Sequence, residues 1–251
     1  MRSLGWFFSL LVVVALLAPS FQAGEKNDVT EEGSVEVQKK ERAEAKAKFN
    51  PELPSVLIIG DSISIGYTPS VRSALADKAN VLHNRGNAQG TTFGLANLED
   101  WLAEAKWALI HFNFGLHDLK RVTEAGTSNN SNDPNDPYQA DLATYTANLE
   151  KIVARLEETG AKLIFATTTP FPVGVKPFRS PQDARNYNKA ALKIMNTKGI
   201  EVNDLYALVV DDLETLQKPV NVHFRKEGSE LMGEEVASKI EAALKQQKDK
   251  D

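Results

Sequence analysis

From Pro51 onward, short apolar runs alternate with longer segments of helical period. A short apolar run between turn residues suits a strand buried on both faces, and the longer segment after it suits a helix lying across that strand. Strands separated in this way pair in parallel, because each pair has room for a crossover helix. The pattern predicts strands over Val56–Ile59, Val81–His83, Ala108–Phe112, Lys162–Ala166 and Glu201–Asn203. Between and after them it predicts helices over Pro69–Lys78, Leu95–Glu104, Tyr138–Glu158, Pro181–Thr197 and Ser229–Leu244. In an open parallel sheet ligands collect beyond the carboxyl ends of the strands, so the loops after Ile59, His83, Phe112 and Ala166 are where a site is expected.

Composition narrows the function classes. With 251 residues, 42% hydrophobic and 25% charged, the chain can bury a full core. A net charge of -5 gives no basic field for a phosphate backbone, so no nucleic-acid partner is expected. The absence of cysteine removes disulfides, thiolate metal sites, a Cys nucleophile and lipid modification at Cys.

The first 23 residues carry Arg2, an apolar stretch from Leu4 to Leu17 and small residues toward Ala23, the layout of a secretory signal peptide. The cleavage site stays open: cleavage after Ala23 would put bulky Phe21 at the minus-three position, and cleavage after Ser20 would put Ala18 there. The alternative is an uncleaved membrane anchor, against which the apolar core is shorter than the ~20 residues of a span. Residues 24–50 are rich in Glu and Lys and read as a solvated tether, residues 51–246 as the folded domain, and 247–251 as a charged tail. A secreted or periplasmic protein, with no stable membrane association after signal removal, is the expectation.

Four segments hold the residues that could do chemistry. Gly60-Asp61-Ser62 ends the first apolar run; Ser62 would sit at the next helix start with its backbone N–H free, although the same tripeptide also suits a simple helix cap. Asn84 to Thr92, containing Gly86 and Gly90, follows the second strand, and glycine there lets a backbone N–H approach a reacting oxygen. Asn113 to Asp118, containing His117, follows the third. Val222 to Gly228, containing His223, precedes the last helix.

Together these segments resemble the blocks of the SGNH hydrolases, the GDSL esterase/lipase superfamily, over Pro54 to about Leu244. The resemblance implies a flavodoxin-like α/β fold: a three-layer sandwich whose mostly parallel five-stranded sheet carries helices on both faces. It implies Ser62 as nucleophile and His223 as base. Backbone N–H groups of Ser62 and Gly90, the latter a better match than Gly86, would line the oxyanion hole. The third block is usually Gly-x-Asn-Asp; here Gly115-Leu116-His117-Asp118 puts His117 in place of the Asn, and a neutral His can still donate one ring N–H. Asn113 is a competing donor. The last block is usually Asp-x-x-His; here Val220-Asn221-Val222-His223 keeps the base and lacks the acid. A backbone carbonyl near Val220 or the Asn221 side-chain oxygen is then expected to take the His223 Nδ1–H, giving a Ser62-His223 dyad. Asp61, Asn221 and Asp118 are the supporting candidates.

The expected chemistry is hydrolysis of short acyl esters, acetyl above all, on a small-molecule or polysaccharide substrate, with no metal and no cofactor. Three other readings stay open. His117-Asp118 could supply the base, with His223 structural. A lysophospholipase or thioesterase could use Phe93, Phe114, Phe171 and Phe178 to line an acyl tunnel. A non-catalytic glycan-binding relative would fit the missing acid. His83, His111, His117 and His223 match no common metal-ligand spacing. The turn-forming loop Arg121–Pro137 reads as a flexible lid or a surface insertion.

Overall fold

The computed structural model describes residues 49–103 and 105–248. The expected signal peptide, all of the tether except its last two residues, Glu104 and residues 249–251 lie outside this range.

Five strands, β1 (Ser55–Ile59), β2 (Asn80–His83), β3 (Leu109–Phe112), β4 (Lys162–Ala166) and β5 (Glu201–Asn203), form one sheet in the order β2-β1-β3-β4-β5. Every pair is parallel. The strands run apolar without alternation because helices cover both faces; Val56 to Ile59 are all at most 2% exposed.

Helix α1 (Ser62–Ala74) crosses one face beside the last helix, α7 (Lys226–Lys248). On the other face α2 (Thr91–Leu102), α3 (Leu142–Glu157) and α4 (Pro181–Lys198) pack side by side. Helix α3 shows the logic: the Asp141 carboxylate accepts the Thr144 N–H at 2.8 Å to start it. Tyr145, Leu149, Ile152, Val153 and Leu156 then form one buried stripe. Two short helices, α5 (Leu205–Val209) and α6 (Leu213–Leu216), and a 3-10 turn, Val210–Asp212, lead toward α7.

Several helix starts differ from the sequence expectation. Helix α1 begins at Ser62 and not at Pro69, because the Asp61 side chain caps it directly at the strand end and Pro69 is carried inside. Helix α7 begins at Lys226 rather than Ser229, and α3 at Leu142 rather than Tyr138. The loop Arg121–Pro137 is tied down where flexibility was expected. Arg121 lies over the Tyr138 ring at 3.5 Å and donates to the Asp136 carbonyl at 3.0 Å. The Phe178 N–H donates to the Ser131 carbonyl and the Arg121 N–H to the Phe178 carbonyl, which fastens the loop to the segment before α4.

Among the described residues, no helix is long and apolar enough to cross a membrane.

Candidate active site

The strand order 2-1-3 puts a switch in winding direction at β1, and crevices open at the carboxyl ends of such strands. The turns after β1, β2 and β3 therefore converge on one edge.

At the end of β1, Asp61 takes the capping role, its Oδ1 accepting the Ile63 N–H at 2.9 Å. That leaves the Ser62 hydroxyl for another partner. Burial pushes the Asp61 carboxyl up to about 6 against the opposing effects of the Ile63 N–H and the nearby Arg179 charge.

His223 reaches Ser62 from the other end of the chain. It rides on a small turn stapled across its base: Gln217 pairs with Phe224, and the Lys218 N–H donates to the His223 carbonyl at 2.9 Å. The Gln217 amide also donates to the carbonyls of Pro170 and Val222, both at 3.0 Å. His223 Nε2 then lies 2.9 Å from Ser62 Oγ.

Val220 holds the position where an acid is usual, and the next residue, Asn221, supplies the partner for the imidazole. Its Oδ1 accepts the His223 backbone N–H at 2.9 Å and lies 2.8 Å from His223 Nδ1. The backbone N–H can only donate, so the amide must face it oxygen-first. The same oxygen therefore requires a hydrogen on Nδ1, which leaves Nε2 unprotonated and able to accept the Ser62 proton. Of the two acceptors the sequence left open, the structure uses Asn221 and not a carbonyl near Val220. Val220 is 59% exposed with φ 48°.

Gly90 caps α2, and no protein acceptor for its N–H or that of Ser62 is found among the described residues. A Cβ at Gly90 would lie 3.0 Å from Asp118 Oδ1, so a side chain there would need the Asp118 carboxyl to give way. Asp118 holds this turn: Oδ1 accepts the Thr91 N–H at 2.7 Å and its hydroxyl at 2.5 Å. Burial pushes Asp118 up to about 6, and Oδ2 has no partner.

Asp118 thus serves the α2 turn and is not paired with His117, against the alternative that these two form the base. His117 is mostly buried, and its Nδ1 has no protein partner. Burial, with help from the charges of Lys120, Arg179 and His223, holds it down to about 3, so it is a neutral ring at working pH. Asn113 does not stand free: its Nδ2 donates to the Ala166 carbonyl at 2.8 Å across the sheet.

His83 and His111 are separate features. His111 is fully buried beside Tyr67. His83 Nδ1 lies 2.9 Å from the Asn84 carbonyl and Nε2 lies 2.7 Å from Ser64 Oγ, a second Ser-His contact that sequence reading missed. Ser64 is only 1% exposed, which keeps it from substrate. Among the described residues no three His, Cys, Asp or Glu side chains converge as metal ligands would.

Arg179 was also missed. It is 5% exposed, with Nε donating to the Leu116 carbonyl at 2.9 Å and Nη1 to the Pro177 carbonyl at 3.3 Å. No short sequence motif announces it, since these partners meet only in the fold.

Partial burial, then the charges of Lys218 and Arg179, hold His223 below its ordinary value. A general base works when neutral, so lowering its pKa extends activity toward acid. For a neutral aryl acetate, kcat/KM should keep its plateau below pH ~6.5 and fall only as pH drops through the lowered value. A midpoint near 7 or above would contradict this.

A serine hydroxyl bonded to an imidazole of fixed tautomer, at the carboxyl end of a parallel sheet, is the arrangement of an α/β serine hydrolase. Residues 58–231 match the GDSL-like lipase/acylhydrolase family, and the chain belongs to it, a family of serine ester hydrolases. No curated protein matches in sequence. Solved structures share the fold. A lipase/acylhydrolase from Enterococcus faecalis is 22% identical with a TM-score of 0.62, covering 76% of this chain and 96% of its own. A GDSL-like lipase from Bacteroides thetaiotaomicron is 16% identical with a TM-score of 0.60, covering 82% and 97%. An acetylxylan esterase from Geobacillus stearothermophilus is 17% identical with a TM-score of 0.60, covering 74% and 94%.

Proposed function

We propose that this chain is an exported esterase that removes short acyl groups, acetyl above all, from carbohydrate hydroxyls through an acyl-Ser62 intermediate. Ser62 Oγ attacks the ester carbonyl as its proton passes to His223 Nε2. The carbonyl electron pair moves onto oxygen, held by the N–H groups of Ser62 and Gly90 with His117 as a side-chain donor. Collapse breaks the bond to the alcohol, which leaves with the proton from His223. Water, deprotonated by the same imidazole, then releases the acid and restores Ser62.

The observation that carries the short-acyl reading is the fate of the aromatic residues. Phe114 and Phe171 are core residues at 1% and 2% exposure and are not free to wall a long acyl channel. Of the other two, Phe93, 37% exposed, leans on Trp101 with ring centroids 6.3 Å apart, and Phe178 is partly buried in the segment before α4. The cavity behind the nucleophile turn, lined by Asp61, Ser64, Tyr67 and Asn113 among others, is about 10 Å³, room for one water and no acyl chain. The acetylxylan esterase among the similar folds supports a carbohydrate ester, and the N-terminal sequence supports export.

On aryl esters from acetyl to octanoyl, kcat/KM should be highest at acetyl or propionyl and fall with length. A maximum at octanoyl would transfer the protein to the lysophospholipase or thioesterase reading.

A further inference from the structure

Arg179 is a cation placed where the fold has to offset its burial. Burying an unpaired guanidinium is costly, and such groups normally meet a carboxylate. Arg179 has none in salt-bridge contact, nor has Lys120 or Lys218, among the described residues. Lys120, 6% exposed, donates to the neutral Asn130 Oδ1 at 2.7 Å. The carboxylate that Arg179 feels is Asp61, which is engaged in capping α1.

The frame around Arg179 is built. The Leu116 and Pro177 carbonyls hold Nε and Nη1, and the Arg121–Pro137 loop clasps the preceding residue, Phe178, on both backbone groups. Among the described residues Nη2 has no acceptor and is not one of the fully buried unpartnered atoms, which leaves it open to solvent on the 5% exposed side chain. Leu116 adjoins His117, and the Arg179 charge is felt by both His117 and His223. In a chain of net charge -5, the charges that act on His223 are nonetheless cationic, those of Lys218 and Arg179.

We propose that Arg179, with Lys120 and Lys218 nearby, binds a carboxylate or sulfate carried on the alcohol side of the ester, so that the natural substrate is an acylated acidic sugar. This rests on the esterase reading above. The alcohol side is favoured because Lys218, whose N–H donates to the His223 carbonyl at 2.9 Å, adjoins the residue that protonates the leaving alcohol, while Arg179 holds the Leu116 carbonyl next to His117. Guanidinium is suited to both oxyanions, because its planar fork presents parallel donors.

The test compares kcat/KM on acetylated methyl glucuronoside, acetylated glucose 6-sulfate and acetylated methyl glucoside. At low salt at least one anionic sugar should exceed the neutral one by about tenfold or more, and the two anionic arms tell carboxylate from sulfate. Arg179→Gln should bring the anionic-to-neutral ratio close to one, with Arg179→Lys between. A wild-type ratio of one or less would overturn the proposal. So would a ratio unchanged in Arg179→Gln with all rates falling together, the mark of a carbonyl clamp.

If Arg179→Gln does not fold, inhibition of aryl acetate hydrolysis by unacylated methyl glucuronoside and glucose 6-sulfate decides on the wild-type protein. Competition by either anion and not by methyl glucoside supports the site, and equal inhibition by all three refutes it. Turnover of aryl acetate that is lost in Ser62→Ala, alongside a flat sugar comparison, would sink this proposal and leave the esterase reading standing. No turnover of any ester would remove both.

Discussion

Replacing His223 with alanine is expected to lower ester turnover by about 10⁴–10⁶-fold in a protein that still folds. The hydroxyl of Ser62 has its hydrogen bond at 2.9 Å to this one imidazole, and without it nothing removes the proton during attack. Folding should survive, because His223 is exposed and its turn is held by Gln217. His117→Ala should cost less, about 10²–10³-fold, the usual effect of removing one oxyanion donor. Among the described residues Ser62 Oγ bonds His223 and not His117, and burial holding His117 down to about 3 makes it a poor proton acceptor, so we assign it the donor's part. Steady-state kinetics on both variants checks the assignment. Near-complete loss in His117→Ala with a mild effect in His223→Ala would reverse the roles.

The second large effect falls on Asn221. In serine proteases, exchanging the triad Asp for Asn lowers turnover about 10⁴-fold because the amide selects the wrong tautomer. That penalty is avoided here, since the His223 backbone N–H fixes the Asn221 oxygen toward the ring. What an amide lacks is charge: it does not stabilise the imidazolium, and Lys218 and Arg179 oppose that cation further. Asn221→Asp keeps the geometry and adds the charge, so kcat should rise, by about tenfold or more, with the acid limb of the pH profile moving to higher pH. Asn221→Leu leaves Nδ1 unpartnered and the tautomer free, and should lower kcat by about 10³-fold or more. Parallel pH–rate profiles test both. An Asn221→Asp enzyme with unchanged kcat and an unchanged profile would mean that Asn221 does not govern the base.

The central strands were legible because the apolar runs of β1, β3 and β4 are buried on both faces, and β3, β4 and β5 fall within a residue of the expected bounds. Helix starts were less so. At α1 two signals competed, a capping Asp61 and a helix-initiating Pro69, and the side-chain hydrogen bond at the strand end won. Ser62, Gly90 and His223 could be read from short motifs because each lies beside the turn that places it. Arg179 and the Ser64-His83 contact could not, since their partners come from other segments of the sequence. Asn113 looked like a donor by its position after β3, but its amide finds the Ala166 carbonyl only once β3 and β4 are side by side.

The central claim is that Ser62, and no other serine, is the nucleophile. Fluorophosphonate labelling followed by peptide mapping tests it most directly. One adduct on Ser62 is predicted, lost in Ser62→Ala and strongly slowed in His223→Ala. No adduct in the folded wild-type protein, or an adduct on Ser64 beside His83, would contradict the account.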